Sequence, residues 1–148
     1  MCGILAVIPK ANFQLDPSAC RRALSTLSWR GPDHTVYDVW KDRVFTGQTV
    51  LSLTGDIRDR NTIYTNSVSG RYRIAFNGEI YNYRELAQRW LQDQFELTSK
   101  TSDTEVLANL YDVFPATEIP GLLDGMYAYT VLDKVEGVLH VSRDVQGE

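Results

Sequence analysis

Gly3-Ile4-Leu5-Ala6-Val7-Ile8 is an unbroken apolar run near the head of the chain, closed by Pro9. Such a run suits a strand covered on both faces, and proline confines itself to strand ends and edges, so residues 3–8 read as a core strand. Cys2 then lies at the mouth of that strand. Removal of Met1 would leave a thiol and a free α-amine on one residue. As classes these groups titrate close together, so a proton passes from sulfur to nitrogen at little cost. A buried small hydrophobe is the commoner role for cysteine, and position two alone does not overturn it.

Asp16 ahead of Pro17 has the form of an N-cap followed by first-turn proline, and Cys20, Ala23, Leu24 and Leu27 follow at helical spacing, which gives Cys20 a packing role. Beyond a turn at Arg30-Gly31-Pro32-Asp33, residues 36–40 and 43–53 read as two strands joined near Lys41-Asp42. Thr54 to Gly70 is polar and reads as a long surface loop. Arg71 to Phe76 alternates as a strand, and Asn77-Gly78 breaks it with a strong turn signal. Asn82 caps a helix containing Glu85, Leu86 and Trp90; Ser102 and Glu105 form a capping box that starts another near Asp103. Residues 122–132 and 137–142 flank Asp133-Lys134-Val135-Glu136 as a hairpin. Grouped strands with helices between the groups point to an α+β architecture.

The chain has 148 residues, enough for one core, so residues 1–148 read as a single domain. A formal charge of -4, with both signs interspersed, offers no basic stripe for nucleic acid. No apolar run approaches the roughly 20 residues of a membrane helix, and no basic-then-apolar leader is present, so the expected compartment is cytoplasmic. Cys2 and Cys20 are expected to be reduced thiols. His34 and His140 lack ligand-spaced partners, so no metal and no cofactor is expected.

Met1-Cys2-Gly3-Ile4, Arg30-Gly31-Pro32-Asp33, Phe76-Asn77-Gly78-Glu79-Ile80-Tyr81-Asn82-Tyr83 and Ser102-Asp103-Thr104-Glu105-Val106-Leu107 together resemble the glutaminase domain of class II glutamine amidotransferases, in its asparagine-synthetase-like branch. Leu123-Asp124-Gly125-Met126-Tyr127-Ala128 and Ser142-Arg143-Asp144 extend the resemblance across nearly the whole chain. Each tetrapeptide is a weak signal alone; their order and spacing make the pattern specific. The resemblance implies the N-terminal-nucleophile αββα sandwich, two antiparallel sheets flanked by helices. It implies Cys2 as nucleophile on the γ-carboxamide of glutamine, with its own α-amine as base, and a thioester intermediate. It implies the Asn77 side chain and the Gly78 backbone N–H as an oxyanion hole. Read without the resemblance, Asn77-Gly78 is an ordinary hairpin turn. Glu79 and Asp103 would hold the α-amino group of glutamine, and Leu51 and Leu53 would line the substrate. An aspartate in a first helical turn also has a plainer role, complementing the helix dipole. Arg30 would brace the site, and Asp33 is a turn residue.

Two departures stand out. Where the family carries an arginine for the α-carboxylate, Gly47-Gln48-Thr49-Val50-Leu51-Ser52-Leu53 has Val50. One charged hydrogen bond is worth about 1.5–3 kcal/mol, so its loss weakens glutamine binding roughly 10- to 150-fold. Arg58 or Arg60, just downstream, is the compensating cation this reading offers. The chain also stops at Val145-Gln146-Gly147-Glu148, before the family's last strands and the ATP-dependent synthetase domain, so the sandwich is expected to be incomplete. The expected partners are glutamine and a synthetase or amidotransferase domain that takes the ammonia, with neither nucleic acid nor membrane. An open sheet edge would also favour a homo-oligomer. The alternative is a weak or inactive relative kept for assembly or ligand sensing, since a fold does not guarantee a site.

Overall fold

The computed structural model describes residues 2–51, 65–93, 96 and 101–147, and the chain divides into two compact units, residues 1–63 and 64–148. The first unit contains β1 (Gly3–Val7), α1 (Pro17–Ser25), β2 (His34–Trp40) and β3 (Val44–Val50). Asp16 caps α1 as its sequence requires, accepting from Ser18 N at 2.9 Å and Ala19 N at 3.0 Å, with Pro17 in the first turn. The strands form an antiparallel sheet ordered β1-β3-β2. Lys41 and Asp42, both at positive φ, turn the chain between β2 and β3.

That order corrects the expectation for the opening apolar run. β3 occupies the centre and is buried from Val44 through Thr49, whereas β1 is only half-buried after Gly3. The physical reason is that β3 is paired along both edges, with β1 and with β2, and that Gly47 lets α1 come close. Leu24 of α1 settles over Gly47, and Phe45 packs with Cys20 and Leu24, joined by Leu5, Val7 and Val39. Burying a leucine or phenylalanine is worth about 1.5–3 kcal/mol, so Leu24 and Phe45, both almost wholly inaccessible, anchor the helix. Cys20 is a packing residue here, as its helical spacing predicts.

The second unit contains β4 (Thr65–Asn66), β5 (Tyr72–Ile80), α2 (Tyr83–Trp90), α3 (Asp103–Val113), a short 3₁₀ turn (Ile119–Gly121), β6 (Gly125–Asp133) and β7 (Val138–Arg143). Its antiparallel sheet runs β4-β5-β6-β7. Ile74, Phe76 and Ile80 of β5 join Tyr127, Tyr129 and Val131 of β6 and the buried sides of α2 and α3 in one core. By the strand alternation, Ala75 and Asn77 belong to the other face of the sheet. The 133–137 hairpin forms where expected, because Asp133 Oδ1 accepts from Val135 N at 2.9 Å and Glu136 N at 3.1 Å.

Three local expectations change. Asn77-Gly78 makes no turn: β5 runs straight through it, with Asn77 opposite Ala128 and Gly78 opposite Tyr127. The long β6 partner overrides the local turn preference of this dipeptide. Of the polar stretch 54–70, residues 54–64 lie outside the described residues; in the remainder Thr65 and Asn66 pair with Ile74 and Arg73, and Val68 N donates to Asn109 Oδ1 at 2.8 Å. Finally, Asn82 stands at the head of α2 without capping it. Its Nδ2 donates to Leu122 O at 2.9 Å and its Oδ1 accepts from Asp124 N at 3.0 Å, so the side chain is spent on the approach to β6.

No helix among the described residues is long and apolar enough to cross a membrane.

Candidate functional site

In the first unit, Cys2 leads directly into β1 and is a half-buried thiol outside any disulfide. Gly3, the next residue, pairs with Thr49 of β3, so Cys2 and Val50 each lie one residue beyond that pair at the same end of the ladder. Leu5 and Val7 pack toward α1, which by alternation turns Cys2 and Val50 to the sheet face away from that helix. Three hydrogen bonds fix this end. Arg30 Nε donates to the Cys2 carbonyl at 3.1 Å, and Gly3 N donates to Thr49 Oγ1 at 3.2 Å while that hydroxyl donates to Leu27 O at 3.0 Å.

The Arg30–Asp33 turn reaches this position by lying against β3. Asp33 N donates to Val50 O at 3.0 Å, and a Cβ on Gly31 would fall 2.3 Å from the Thr49 carbonyl carbon. Any side chain at 31 would push the turn off the strand. Thr49 is a residue that the sequence reading assigns no role; a threonine in a polar strand gives little warning that its hydroxyl bridges two elements. Leu51 is half-buried just past β3. Leu53, Arg58 and Arg60 lie outside the described residues.

In the second unit, Asn77, Gly78 and Glu79 form the end of β5, and Asp103 opens α3 beside them. Asn77 is buried, whereas Gly78 and Glu79 are exposed. Gly78 adopts φ 137°, a region glycine reaches without strain, and a Cβ there would lie 2.0 Å from Met126 O. The position therefore demands glycine twice over. Asp103 Oδ2 accepts from Ile80 N at 3.0 Å and its Oδ1 from Thr104 N at 2.8 Å, which ties the head of α3 to the end of β5. The capping box is complete: Glu105 N donates to Ser102 Oγ at 3.2 Å and Ser102 N to Glu105 Oε2 at 2.7 Å.

Burial pushes the Asp103 carboxyl above its ordinary pKa, against the pull of the Ile80 and Thr104 N–H groups, and the nearby Glu79 charge adds to the rise. A desolvated carboxylate with a second carboxylate nearby is poised to accept a cation. The first cluster holds a thiol beside its own backbone nitrogen, and the second holds amide groups and two carboxylates. Among the described residues, no group of three or more histidine, cysteine, aspartate and glutamate side chains could hold a metal.

The model of the glutamine amidotransferase domain matches residues 1–148. Among curated relatives, asparagine synthetase (glutamine-hydrolyzing) 2 of Oryza sativa subsp. japonica is 32% identical over 148 residues, covering 99% of this chain and 24% of that protein. Asparagine synthetase (glutamine-hydrolyzing) 3 of Bacillus subtilis (strain 168) is 32% identical over 151 residues, with the same shares of each chain. The chain therefore spans about a quarter of the length of these relatives. A solved structure, the glutamine phosphoribosylpyrophosphate amidotransferase of B. subtilis complexed with ADP and GMP, matches with a TM-score of 0.50 and 26% identity over 70% of this chain and 24% of that one.

Proposed function

The chain belongs to the glutamine amidotransferase domain family, and from that membership we propose that it hydrolyses glutamine to glutamate and ammonia through a thioester on Cys2. The fold, two antiparallel sheets with helices, is that of the N-terminal-nucleophile amidotransferases. The observation that supports the reading most directly is the half-buried, reduced thiol of Cys2 at the head of β1, its carbonyl fastened by Arg30.

With Met1 removed, the Cys2 α-amine takes the thiol proton, directly or through water, and sulfur bonds to the amide carbon of glutamine. The oxyanion so formed accepts from the Asn77 side-chain amide and the Gly78 N–H. On collapse the carbon–nitrogen bond breaks, the amine returns its proton to the leaving nitrogen, and ammonia departs. Water then attacks the thioester, passing a second oxyanion, and glutamate leaves with the thiol restored. Asp103 and Glu79 hold the α-ammonium of glutamine, Leu51 and Leu53 line the substrate, and Arg30 braces the nucleophile. Val50 supplies no cation for the α-carboxylate, so that duty passes to Arg58 or Arg60.

Residues 1–148 act in this reading as one glutaminase-type domain, cytoplasmic and in a reducing compartment. The ammonia goes to a synthetase activity of the asparagine-synthetase type, as the names of the relatives suggest. The non-catalytic alternative is not favoured, because Cys2, Asn77, Gly78 and Asp103 are all present.

The test combines intact mass, ammonia release from glutamine and labelling by a glutamine-mimicking electrophile. Loss of Met1, glutamine-dependent ammonia and one label on Cys2 are expected. Cys2→Ala should abolish both release and labelling while folding normally; full activity in that variant would refute the assignment.

A further inference from the structure

Gly78 is shaped by the backbone across from it. Its missing Cβ would collide with Met126 O at 2.0 Å and with Tyr127 Cα at 2.6 Å, so the Met126–Tyr127 peptide dictates where the Gly78 backbone lies. The backbone leading into and out of that peptide is in turn held on both sides. On the upstream side Asn82 donates through Nδ2 to Leu122 O at 2.9 Å and accepts through Oδ1 from Asp124 N at 3.0 Å, while Tyr81 N donates to Asp124 O at 2.7 Å. On the downstream side the buried Asp144 carboxylate accepts from Tyr127 N at 3.1 Å, and Asp144 N donates to Tyr127 O at 2.8 Å. Asp144 Oδ1 also accepts from Gln146 N at 2.8 Å and Gly147 N at 2.6 Å, which locks its orientation.

We propose that Asn82 and Asp144 are positioning residues that set the Gly78 N–H for the oxyanion by clamping the Leu122–Tyr127 backbone against the end of β5. The inference rests on the glutamine hydrolysis proposed above and adds the means by which its oxyanion donor is held. A donor works only where it is fixed close to the place where charge develops, so a loosened clamp lowers the chemical step more than it lowers glutamine binding. Helix capping would be the ordinary use of Asn82; here α2 begins without a side-chain cap, and both ends of the amide face the Leu122–Asp124 segment.

Asn109 supplies the control, because it makes an equivalent two-ended clamp away from Gly78. Its Oδ1 accepts from Val68 N at 2.8 Å and its Nδ2 donates to Glu105 O at 2.9 Å. In the full chain carrying this sequence, ammonia release from glutamine is measured for wild type, Asn82→Ala, Asn82→Asp, Asp144→Asn and Asn109→Ala, with thermal melting in parallel. Deleting an oxyanion donor costs about 10²–10³ in kcat, so displacing one in Asn82→Ala should cost about 10- to 100-fold, with KM for glutamine near the wild-type value. Asn82→Asp keeps the acceptor for Asp124 N and should retain more activity than Asn82→Ala; it decides the matter if the alanine variant fails to fold. Asp144→Asn should lower kcat in the same manner. Asn109→Ala should lower the melting temperature and leave kcat unchanged. Equal kcat losses in the Asn82 and Asn109 variants, or wild-type kcat in Asn82→Ala, would overturn the inference alone. A wild type inert toward glutamine would remove the hydrolysis reading and the inference with it.

Discussion

Arg30 Nε donates to the carbonyl oxygen of Cys2 at 3.1 Å, so a side chain from the turn after α1 holds the backbone of the residue that leads into β1. The contact depends on Gly31, which lets that turn lie against Thr49, and on Asp33 N, which donates to Val50 O. A positioned nucleophile needs such support, because reacting atoms must be held in a narrow range of distances and angles.

Arg30→Ala should therefore lower kcat/KM for glutamine roughly 10-fold, close to the lower end of the about 1.5–3 kcal/mol expected for a hydrogen bond from a charged donor. Cys2 remains present, so stoichiometric labelling by the electrophile should persist at a reduced rate. Steady-state kinetics with labelling rates check this; unchanged values for both would show that Arg30 does not brace the nucleophile.

Asp103 ought to leave a signature in pH dependence. Burial raises its native pKa, so the native state holds that proton more firmly than the unfolded chain. The resulting stability is complete below the ordinary value of 3.8 and is lost as pH rises through the raised native value. Only the anion can pair with the α-ammonium of glutamine. KM should thus climb on acidification at a higher pH than an ordinary aspartate would give. Asp103→Asn should flatten this limb and raise KM about 10- to 150-fold at neutral pH. A KM profile identical in the two proteins would exclude Asp103 from substrate binding.

Arg71 and Asp133 predict the opposite slope. Burial pushes the Asp133 carboxyl up, but the two-pronged Arg71 contact and the Glu136 and Val135 N–H groups outweigh it and leave the pKa lowered. Arg71 Nε reaches Oδ1 at 2.9 Å and Nη2 reaches Oδ2 at 2.6 Å. The stabilisation is complete above 3.8 and is lost as pH falls through the lowered native value. Arg71→Met should lower stability at neutral pH only modestly, because the Arg71 side chain is 37% exposed and solvent screens the pair. Denaturant titrations across pH should show that loss vanish in acid; a loss independent of pH would assign Arg71 to packing alone.

Much of this was legible in the sequence, for identifiable reasons. The caps at Asp16 and Ser102 are local hydrogen-bond patterns, and both helices start where those residues place them. Asn77-Gly78 misled because a turn preference is local, whereas the β5–β6 ladder is set by pairings far along the chain. The opening apolar run misled in a similar way: composition states how much burial a strand wants, but sheet order decides which strand obtains it. Asn82 and Asp144 gave no signal of their clamping role, since the partners they hold on the approach to β6 and within it are backbone groups, which carry no side-chain code.

Val50 poses the sharpest question about the substrate. It sits at the end of β3, one residue past the Gly3–Thr49 pair, at the same end of the ladder as Cys2. A hydrocarbon there offers the α-carboxylate of glutamine nothing to bind, and the unmet charge would weaken affinity roughly 10- to 150-fold. If Arg58 or Arg60 supplies the cation, Arg58→Ala or Arg60→Ala should raise KM by that factor with kcat nearly constant, because the contact is equal in ground and transition states. Val50→Arg should then add little, since the carboxylate already has its partner. If neither arginine acts, both alanine variants will keep the wild-type KM and Val50→Arg will lower it. Steady-state kinetics on these three variants separate the cases, and wild-type kinetics in all of them would mean that the donor is not held by its α-carboxylate at this end of β3.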